Sequence, residues 1–259
     1  SQNTAVGAQT LTNNTTGAQN VALGFYSLDS NTTASNNTGV GYQSLYTNTT
    51  GANNTAVGLN ALVVNTTGGS NTAVGKGALD ANTTATGNTA VGVNAGGATT
   101  TGHVTAVGYA VLQSNTTGSA NVAVGGNDET SAAAMQSNTT GDNNTAMGVA
   151  ALKSNTTADH NTAVGYHALR LNTTGTANAA LGAFAADAIT TGDNNTAVGY
   201  NSLTVATTGD GNTAIGHQAL LVTTTASSNT AVGKDALGAN TTGANNTAIG
   251  RQALLLATT

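Results

Sequence analysis

The histidines are the first candidates for catalysis or metal binding in this chain. They are His103, His160, His167 and His217. His167 and His217 fall at different positions of the repeat described below and are 50 residues apart, whereas metal ligands must converge on one ion. The abundant Ser and Thr residues form no recognisable Ser/His/Asp arrangement, and no glycine-rich phosphate loop is present. We therefore expect surface histidines, no metal site, no cofactor and no enzyme active site.

Acidic residues in turns offer a second possible chemistry, calcium binding. Asp142 and Asp193 lie in equivalent Gly-Asp-Asn-Asn segments, and Asp210 lies in a related one. Carboxylate and carbonyl oxygens at turns are the ligands that calcium prefers. However, the chain lacks the Gly-Gly-x-Gly-x-Asp repeat of calcium-binding β-rolls. We favour solvated turn carboxylates over a calcium site.

Composition excludes several classes of partner. Only 6% of the 259 residues are charged, the net charge is −5, and Cys, Pro and Trp are absent. The five Lys and Arg residues are far apart in the sequence, so the clustered cations that nucleic acid requires are missing. No apolar stretch is long enough to span a membrane, and no signal peptide is visible. Strictly periodic apolar residues argue against disorder.

An Asn-Thr-Ala-Val-Gly motif recurs along the whole chain. Twelve of the fourteen spacings between its glycines are 17 residues, one is 16 and one is 23. The residue before the glycine is aliphatic in all fifteen copies, and Leu stands four residues after it in twelve. The motif glycines are Gly7, Gly24, Gly41, Gly58, Gly75, Gly92, Gly108, Gly125, Gly148, Gly165, Gly182, Gly199, Gly216, Gly233 and Gly250.

A unit of 17 residues is too short for a helix pair or a propeller blade. Hairpins are also disfavoured, since Asn-Gly does not occur and Asp-Gly occurs once. The repeat therefore predicts an all-β fold: a parallel β-solenoid, or β-roll, of fifteen coils of about 17 residues. Equivalent residues then stack in columns about 4.8 Å apart. A stacked Asn column is expected to form amide ladders that satisfy backbone groups of the turns.

The columns also lead to expectations about which side chains are buried. We expect the residue before the glycine (the aliphatic column) and the Leu four residues after it (the leucine column) to face inward. The Ala and Gly columns are expected on the opposite face, where a second copy can approach closely. We expect the residue after the glycine (the post-glycine column) to face solvent and to bind partners. Its candidate binding residues are Phe25, Tyr42, Lys76, Tyr109, Tyr166, Tyr200, His217, Lys234 and Arg251.

Each coil offers only about two large apolar side chains to offset the cost of ordering 17 residues. We therefore expect a homo-oligomer, specifically a trimer, with a monomeric solenoid as the alternative. The chain begins and stops within a repeat and shows no capping segment. This favours one repeat domain over residues 1–259, excised from a longer fibre, with end-to-end self-association as the alternative.

The long spacing between Gly125 and Gly148 indicates a six-residue insertion. We assign it to a surface loop over residues 126–137 that interrupts the leucine column at Glu129. Insertions in solenoids map to surface loops, often on the binding face. Asn127, Asp128 and Glu129 are therefore candidate binding residues, and a tolerated bulge is the alternative.

The core of the repeat, as in Asn54 to Leu62 or Asn161 to Leu169, resembles the head repeats of trimeric autotransporter adhesins. It is also similar to β-strand repeats of bacterial surface proteins and phage tail fibres. The adhesin repeat is shorter, and the extra residues here fall around the Asn-Thr-Thr-Gly turn. The resemblance implies a left-handed trimeric β-roll in an extracellular fibre, attached to a bacterial outer membrane or a virion.

These observations predict a non-enzymatic, structural and adhesive fibre segment that presents a repetitive surface to a host protein or glycan. Two alternatives remain open. One is an ice-binding solenoid, for which the stacked Thr columns are the attraction. The other is a self-assembling extracellular filament in which the repeat itself is the building material.

Overall fold

A computed structural model describes residues 2–126 and 132–256 as an all-β parallel β-solenoid. The chain forms two compact units, residues 1–131 and 132–259. The first unit contains β1 (Thr4–Val6), β2 (Val21–Leu23), β3 (Thr38–Val40), β4 (Thr55–Val57), β5 (Thr72–Val74), β6 (Thr89–Val91), β7 (Thr105–Val107) and β8 (Val122–Val124). The second contains β9 (Thr145–Met147), β10 (Thr162–Val164), β11 (Ala179–Leu181), β12 (Thr196–Val198), β13 (Thr213–Ile215), β14 (Thr230–Val232) and β15 (Thr247–Ile249).

Within each unit, every strand pairs in parallel with the strand of the next coil. The register joins residues at the same position of the repeat; Ala56, for example, lies opposite Ala73, and Val57 lies opposite Val74. The predicted fold class and the predicted stacking into columns are therefore confirmed. Among the described residues there is no helix that is long and hydrophobic enough to span a bilayer.

The strand ends at the motif glycine, where the chain turns. Gly58 has a φ of 135°, and a Cβ atom placed on it would lie 2.6 Å from the carbonyl oxygen of Gly75 in the next coil. Only glycine adopts this backbone conformation without strain, and only glycine leaves room for the neighbouring coil. This double requirement explains why the column is invariant through the chain.

Two residues with left-handed backbone conformation follow the glycine and direct the leucine side chain into the interior. In the fourth coil, Asn60 has a φ of 57° and Leu62 a φ of 51°. The Leu62 side chain is fully buried, as are the equivalent leucines of the neighbouring coils. The prediction that the leucine column faces inward is confirmed.

The aliphatic column, in contrast, does not face inward, so this prediction is wrong. In every coil its side chain is half-buried or exposed, and Leu181 is 53% exposed. The Ala that precedes it, such as Ala180, is buried in every coil but the first, where Ala5 is exposed. Strand alternation places Thr and the aliphatic residue on one face and Ala on the other.

The size of the interior explains this choice of face. A strand alanine such as Ala56 shares the interior with Ala61 and Leu62 of the same coil, and all three side chains are fully buried. A coil of 17 residues encloses too little volume to hold Val and Leu together, because cores fill their space at crystal-like density. The small residue is therefore placed inside, and the expected approach of a second copy to the Ala face is excluded.

One exception in the alanine column follows the same volume rule. Gly39 replaces Ala there, and a Cβ atom placed on it would lie 2.6 Å from Ser27 Oγ. Ser27 and Ser44 take the place of the Ala three residues after the motif glycine, and both are fully buried. The Ser27 hydroxyl donates to the Gly39 carbonyl at 2.9 Å. The missing methyl group of Gly39 leaves room for the Ser27 hydroxyl.

Two buried asparagine columns complete the interior. In the strand-asparagine column, four residues before the glycine, Asn54 Nδ2 donates to the Gly68 carbonyl at 2.8 Å, while the Asn54 N–H donates to Asn37 Oδ1 at 2.9 Å. In the turn-asparagine column, seven residues after the glycine, Asn65 Nδ2 donates to Asn48 Oδ1 at 2.8 Å and to the Gly68 carbonyl at 2.9 Å. The predicted amide ladders are confirmed.

Residues 132–137, predicted to be part of a surface loop over residues 126–137, have the structure of a coil instead. Met135 is fully buried at the leucine-column position, and its N–H donates to the Ala151 carbonyl at 3.0 Å. The Ala150 N–H likewise donates to the Ala132 carbonyl at 2.9 Å. Residues 132–137 thus belong to a coil, and Met135 stands at the leucine-column position.

Candidate binding surface at the post-glycine column

The post-glycine column lies on the outside of the coil, immediately beyond the glycine turn. All nine of its predicted binding residues are exposed: Phe25, Tyr42, Lys76, Tyr109, Tyr166, Tyr200, His217, Lys234 and Arg251. Because the chain turns at the glycine, this residue does not continue the inward and outward alternation of the strand. The predicted exposure of the column is confirmed.

The large aromatic and cationic side chains of the chain concentrate around this column. All eight Phe and Tyr residues and all five Lys and Arg residues stand one, two or five positions after a motif glycine. Five aromatic residues and three cations occupy the post-glycine column itself. None of the ten Asp and Glu residues occupies it. The column is therefore a neutral-to-basic strip on an acidic chain.

In the second unit, rings from consecutive coils form a continuous cluster. Tyr166 stacks on His167 with centroids 3.9 Å apart and contacts Phe184 edge-on at 5.3 Å. Phe184 contacts Tyr200 at 6.0 Å, and Tyr200 stacks on His217 at 5.5 Å with an interplanar angle of 24°. The three contacts between coils, at 5.3 to 6.0 Å, lie within the range of attractive aromatic pairs. We call these five residues the ring cluster.

A smaller group of rings occurs in the first unit. Phe25 contacts Tyr26 edge-on at 4.1 Å and stacks on Tyr42 at 5.9 Å, and Tyr26 contacts Tyr46 at 5.4 Å. Only the post-glycine members of both groups were predicted from the sequence as binding residues. The other members, His167, Phe184, Tyr26 and Tyr46, stand two or five positions after the glycine and were not predicted. Their shared offsets from the glycine were the available signal.

An ion pair lies beside the ring cluster. Arg170 Nε and Nη2 donate to the two oxygens of Asp187, on the next coil, at 2.8 and 3.1 Å. This hydrogen bonding raises the pKa of the Arg170 guanidinium. Burial, with a contribution from the Arg170 charge, lowers the pKa of His167. His167 is therefore an aromatic, uncharged member of the cluster at neutral pH.

Two cations extend the post-glycine column beyond the ring cluster. Lys234 and Arg251 follow His217 on the next two coils, and both are exposed. Lys234 Nζ lies 3.9 Å from Asp235 Oδ2, a long contact between partly exposed groups. Such a pair contributes little and is readily exchanged for another anion. The second unit thus presents rings followed by positive charge along one line.

A shallow depression of about 420 Å³ lies in the first unit, lined by Asp80, Asn94, Gly97 and Gln113 with Ala81 and Ala98. It forms because Gly97 carries no side chain at the position that Asp80 and Gln113 fill on the adjacent coils. Burial raises the pKa of the Asp80 carboxyl, although the N–H groups of Asp80 and Ala81 oppose the shift.

The turn carboxylates hold the backbone of the preceding coil. Asp159 Oδ1 accepts from the Asp142 N–H at 2.7 Å, and Asp210 Oδ1 accepts from the Asp193 N–H at 2.8 Å. Asp193 Oδ1 accepts from both the N–H and the hydroxyl of Thr176. Within residues 2–126 and 132–256, no three His, Cys, Asp or Glu side chains are grouped to hold a metal ion. These contacts assign the turn carboxylates a structural role.

A second exposed surface lies on the sheet. Its side chains are those of the aliphatic column and of the threonine column, three residues before the glycine, and none of either column is buried.

The three predicted loop residues, Asn127, Asp128 and Glu129, lie outside the described residues. Comparison of the chain with protein-family models and with curated proteins found no match to either.

Proposed function

We propose that this chain is a structural and adhesive fibre segment, and that its copies associate side by side through the aliphatic column. The observation that carries this proposal is the row of aliphatic side chains left outside the solenoid. Met147 is 46% exposed, Leu181 53% and Ile215 39% in the second unit alone. Contiguous apolar surface of this kind marks an interaction site.

The energetics favour burial of this face. Covering a fully exposed aliphatic side chain contributes about 1.5–3 kcal/mol, so covering a half-exposed one contributes about half as much. The contribution repeats with every coil, since each coil supplies one such residue in register. A modest gain per coil therefore adds up to a strong association.

A trimer is the assembly that we propose. Three copies arranged about an axis parallel to the coil stack bring three equivalent aliphatic columns together. The resemblance to adhesin head repeats supports the number three, the left-handed coil and a position on a bacterial or virion surface. The post-glycine column lies beyond the glycine turn and remains free for a partner. The assembly therefore separates the surface that builds the fibre from the surface that binds.

Light scattering of the purified chain tests this proposal. We expect three times the chain mass of 25.0 kDa. The matched variants are Val91→Lys, in the aliphatic column, and Val64→Lys, outside it; the two valines are 37% and 36% exposed. Val91→Lys should lower the denaturant concentration at which the oligomer dissociates, and Val64→Lys should leave it unchanged. A monomeric parent chain, or equal effects of both variants, contradicts the proposal.

Ice binding is the second candidate function, and the same sheet face favours it. Thr55 and Val57 point outward from one strand, and Thr72 and Val74 repeat them one strand further. The result is a regular array of hydroxyl and methyl groups with a spacing of about 4.8 Å between strands. This function requires the face to be open, so it belongs to a monomer. A thermal-hysteresis measurement separates the two; activity in a monomeric sample supports ice binding and contradicts the fibre.

A further inference from the structure

We propose that the ring cluster, with Lys234 and Arg251, binds an acidic polysaccharide. This inference rests on the adhesive role proposed above and names its ligand class. We call the strip formed by these seven residues the ring–cation strip. Its members come from consecutive coils of the second unit, where each coil advances the strip by about 4.8 Å.

The ring cluster supplies the apolar part of the site. Tyr166 and Tyr200 are 48% and 49% exposed although each contacts other rings. Ring packing fixes these side chains and leaves a face or edge of each open to a ligand. The negative face of an aromatic ring attracts the slightly positive C–H groups of a partner. A pyranose ring presents such C–H groups on one of its faces, so a sugar chain can stack along the cluster.

The cations specify a negative ligand. Lys234 and Arg251 stand in the same column as Tyr166, Tyr200 and His217, and no acidic residue shares the column. Lys234 has one carboxylate contact, a long one of 3.9 Å between its Nζ and Asp235 Oδ2. A carboxylate on a sugar can replace this weak contact and can also pair with Arg251. Rings followed by cations therefore match a polymer that combines pyranose faces with regularly spaced acid groups.

Other anionic polymers fit this surface less well. Nucleic acid binding depends on neutralising many phosphates, and this strip offers two cations on a chain of net charge −5. The neighbouring Arg170 is already held by Asp187 through two hydrogen bonds. A uronic-acid polysaccharide can bind with fewer protein cations, because its pyranose faces also stack on the aromatic rings.

The test is a titration of the full chain with polygalacturonate, hyaluronan and alginate, and with dextran as the neutral polymer. We expect binding of at least one of the three acidic polymers and none of dextran. The double variant Tyr166→Ala with Tyr200→Ala should weaken binding at least about tenfold, which corresponds to 1.4 kcal/mol. Lys234→Gln with Arg251→Gln should weaken it and should reduce its dependence on salt concentration.

Control variants come from outside the post-glycine column. Val64→Ala removes an apolar side chain that is 36% exposed in the first unit, and Lys153→Gln removes a cation that stands five positions after a motif glycine. Both should bind the acidic polymer like the parent chain. Binding lost equally in controls and strip variants overturns the proposal. So does the absence of binding to all three acidic polymers, or equal binding of dextran.

The oligomer mass, measured on the same samples, separates this inference from the proposed fibre. Strip variants should keep the parent mass, because the aliphatic column is intact. A changed mass would assign the rings to an interface between copies and overturn the ligand proposal. Conversely, the Val91→Lys variant should change the dissociation of the oligomer and retain the ring–cation strip. The two hypotheses therefore fail independently.

Discussion

Asn82 and Thr99 are stacked on successive coils in the turn-asparagine column, and a side-chain oxygen of each has no hydrogen-bond partner among the described residues. Asn82 Nδ2 donates to Asn65 Oδ1 at 2.8 Å, so the ladder is intact on that side. On the other side the column offers the Thr99 hydroxyl in place of an amide. Asn82 Oδ1 is therefore left without a donor such as the one that Asn65 Oδ1 receives from Asn82.

Thr99→Asn should repair this break. The new amide places a donor against Asn82 Oδ1, and leaving a buried polar atom unpaired costs about 1–3 kcal/mol. We expect the free energy of unfolding to rise by about 1 kcal/mol, measured by denaturant titration. The reverse change, Asn65→Thr in an unbroken stretch, removes the bonds to Asn48 Oδ1 and the Gly68 carbonyl and should lower stability. Destabilisation by Thr99→Asn would contradict this account of the ladder.

The sequence predicts much of this fold because period and column identity are properties of the sequence alone. The 17-residue repeat determines the number of coils, and the recurring asparagines predict stacked amides. The burial of Leu62 also follows from the pattern. What the pattern leaves open is which face of a three-residue strand lies inside. Alternation separates Ala56 from Val57 but assigns neither to the interior.

That assignment depends on the enclosed volume, which is a property of the complete coil. Leu62 and Ala61 fill the interior from the side opposite the strand. They leave space only for a methyl group at the strand position. The candidate site likewise has features that the sequence predicts and features that only the folded coil determines. Exposure of Tyr166 and Tyr200 follows from their position after the glycine. Their contacts with His167 and Phe184 require the left-handed backbone of the residues that follow the post-glycine column, where φ is 59° for His167 and 57° for Phe184.

Gly58→Ala tests the double requirement at the motif glycine. The substitution places a methyl group 2.6 Å from the Gly75 carbonyl oxygen at a φ of 135°. We expect a loss of about 3 kcal/mol in the free energy of unfolding, because strained backbone and close packing both contribute. Gly211→Ala is the control, since its φ is 64° and the nearest atom to a new Cβ lies 4.0 Å away. The control should lose only about 1 kcal/mol, and equal losses would disprove the packing contribution.

Ala177 is a position where the opposite substitution, Ala to Gly, should stabilise the fold. It is exposed, with a φ of 56°, at a position that Asn occupies in several other coils. A left-handed conformation costs a residue with a Cβ about 1–2 kcal/mol, whereas glycine adopts it freely. Ala177→Gly should therefore raise the free energy of unfolding by about 0.5 kcal/mol. Ala52→Gly, at a position without a positive φ, should lower it by about 0.5–1 kcal/mol. Two changes of the same sign in thermal melts would refute the argument.

Asp80 and Asp187 stand at the same position of the repeat, five residues after a motif glycine, and should respond oppositely to replacement by Asn. Burial raises the pKa of Asp80 above its ordinary value of 3.8, so the folded state disfavours the charged form. The protonated form contributes stability below pH 3.8, and this contribution is lost as the pH rises through the raised value. Asp80→Asn should therefore be more stable than the parent at pH 7.

This advantage of Asp80→Asn should shrink as the pH falls and disappear below pH 3.8, where the parent carboxyl is also neutral. Asp187→Asn instead disrupts the two hydrogen bonds from Arg170, at 2.8 and 3.1 Å, and should cost about 1 kcal/mol at pH 7. Thermal melts of both variants and the parent at pH 3 and pH 7 measure the two effects. A loss of stability in Asp80→Asn at pH 7 would show that the hydrogen bonds from the N–H groups of Asp80 and Ala81 outweigh the effect of burial. Opposite signs at pH 7 would show that, at one repeat position, the charge is favoured only where a guanidinium lies within hydrogen-bonding distance.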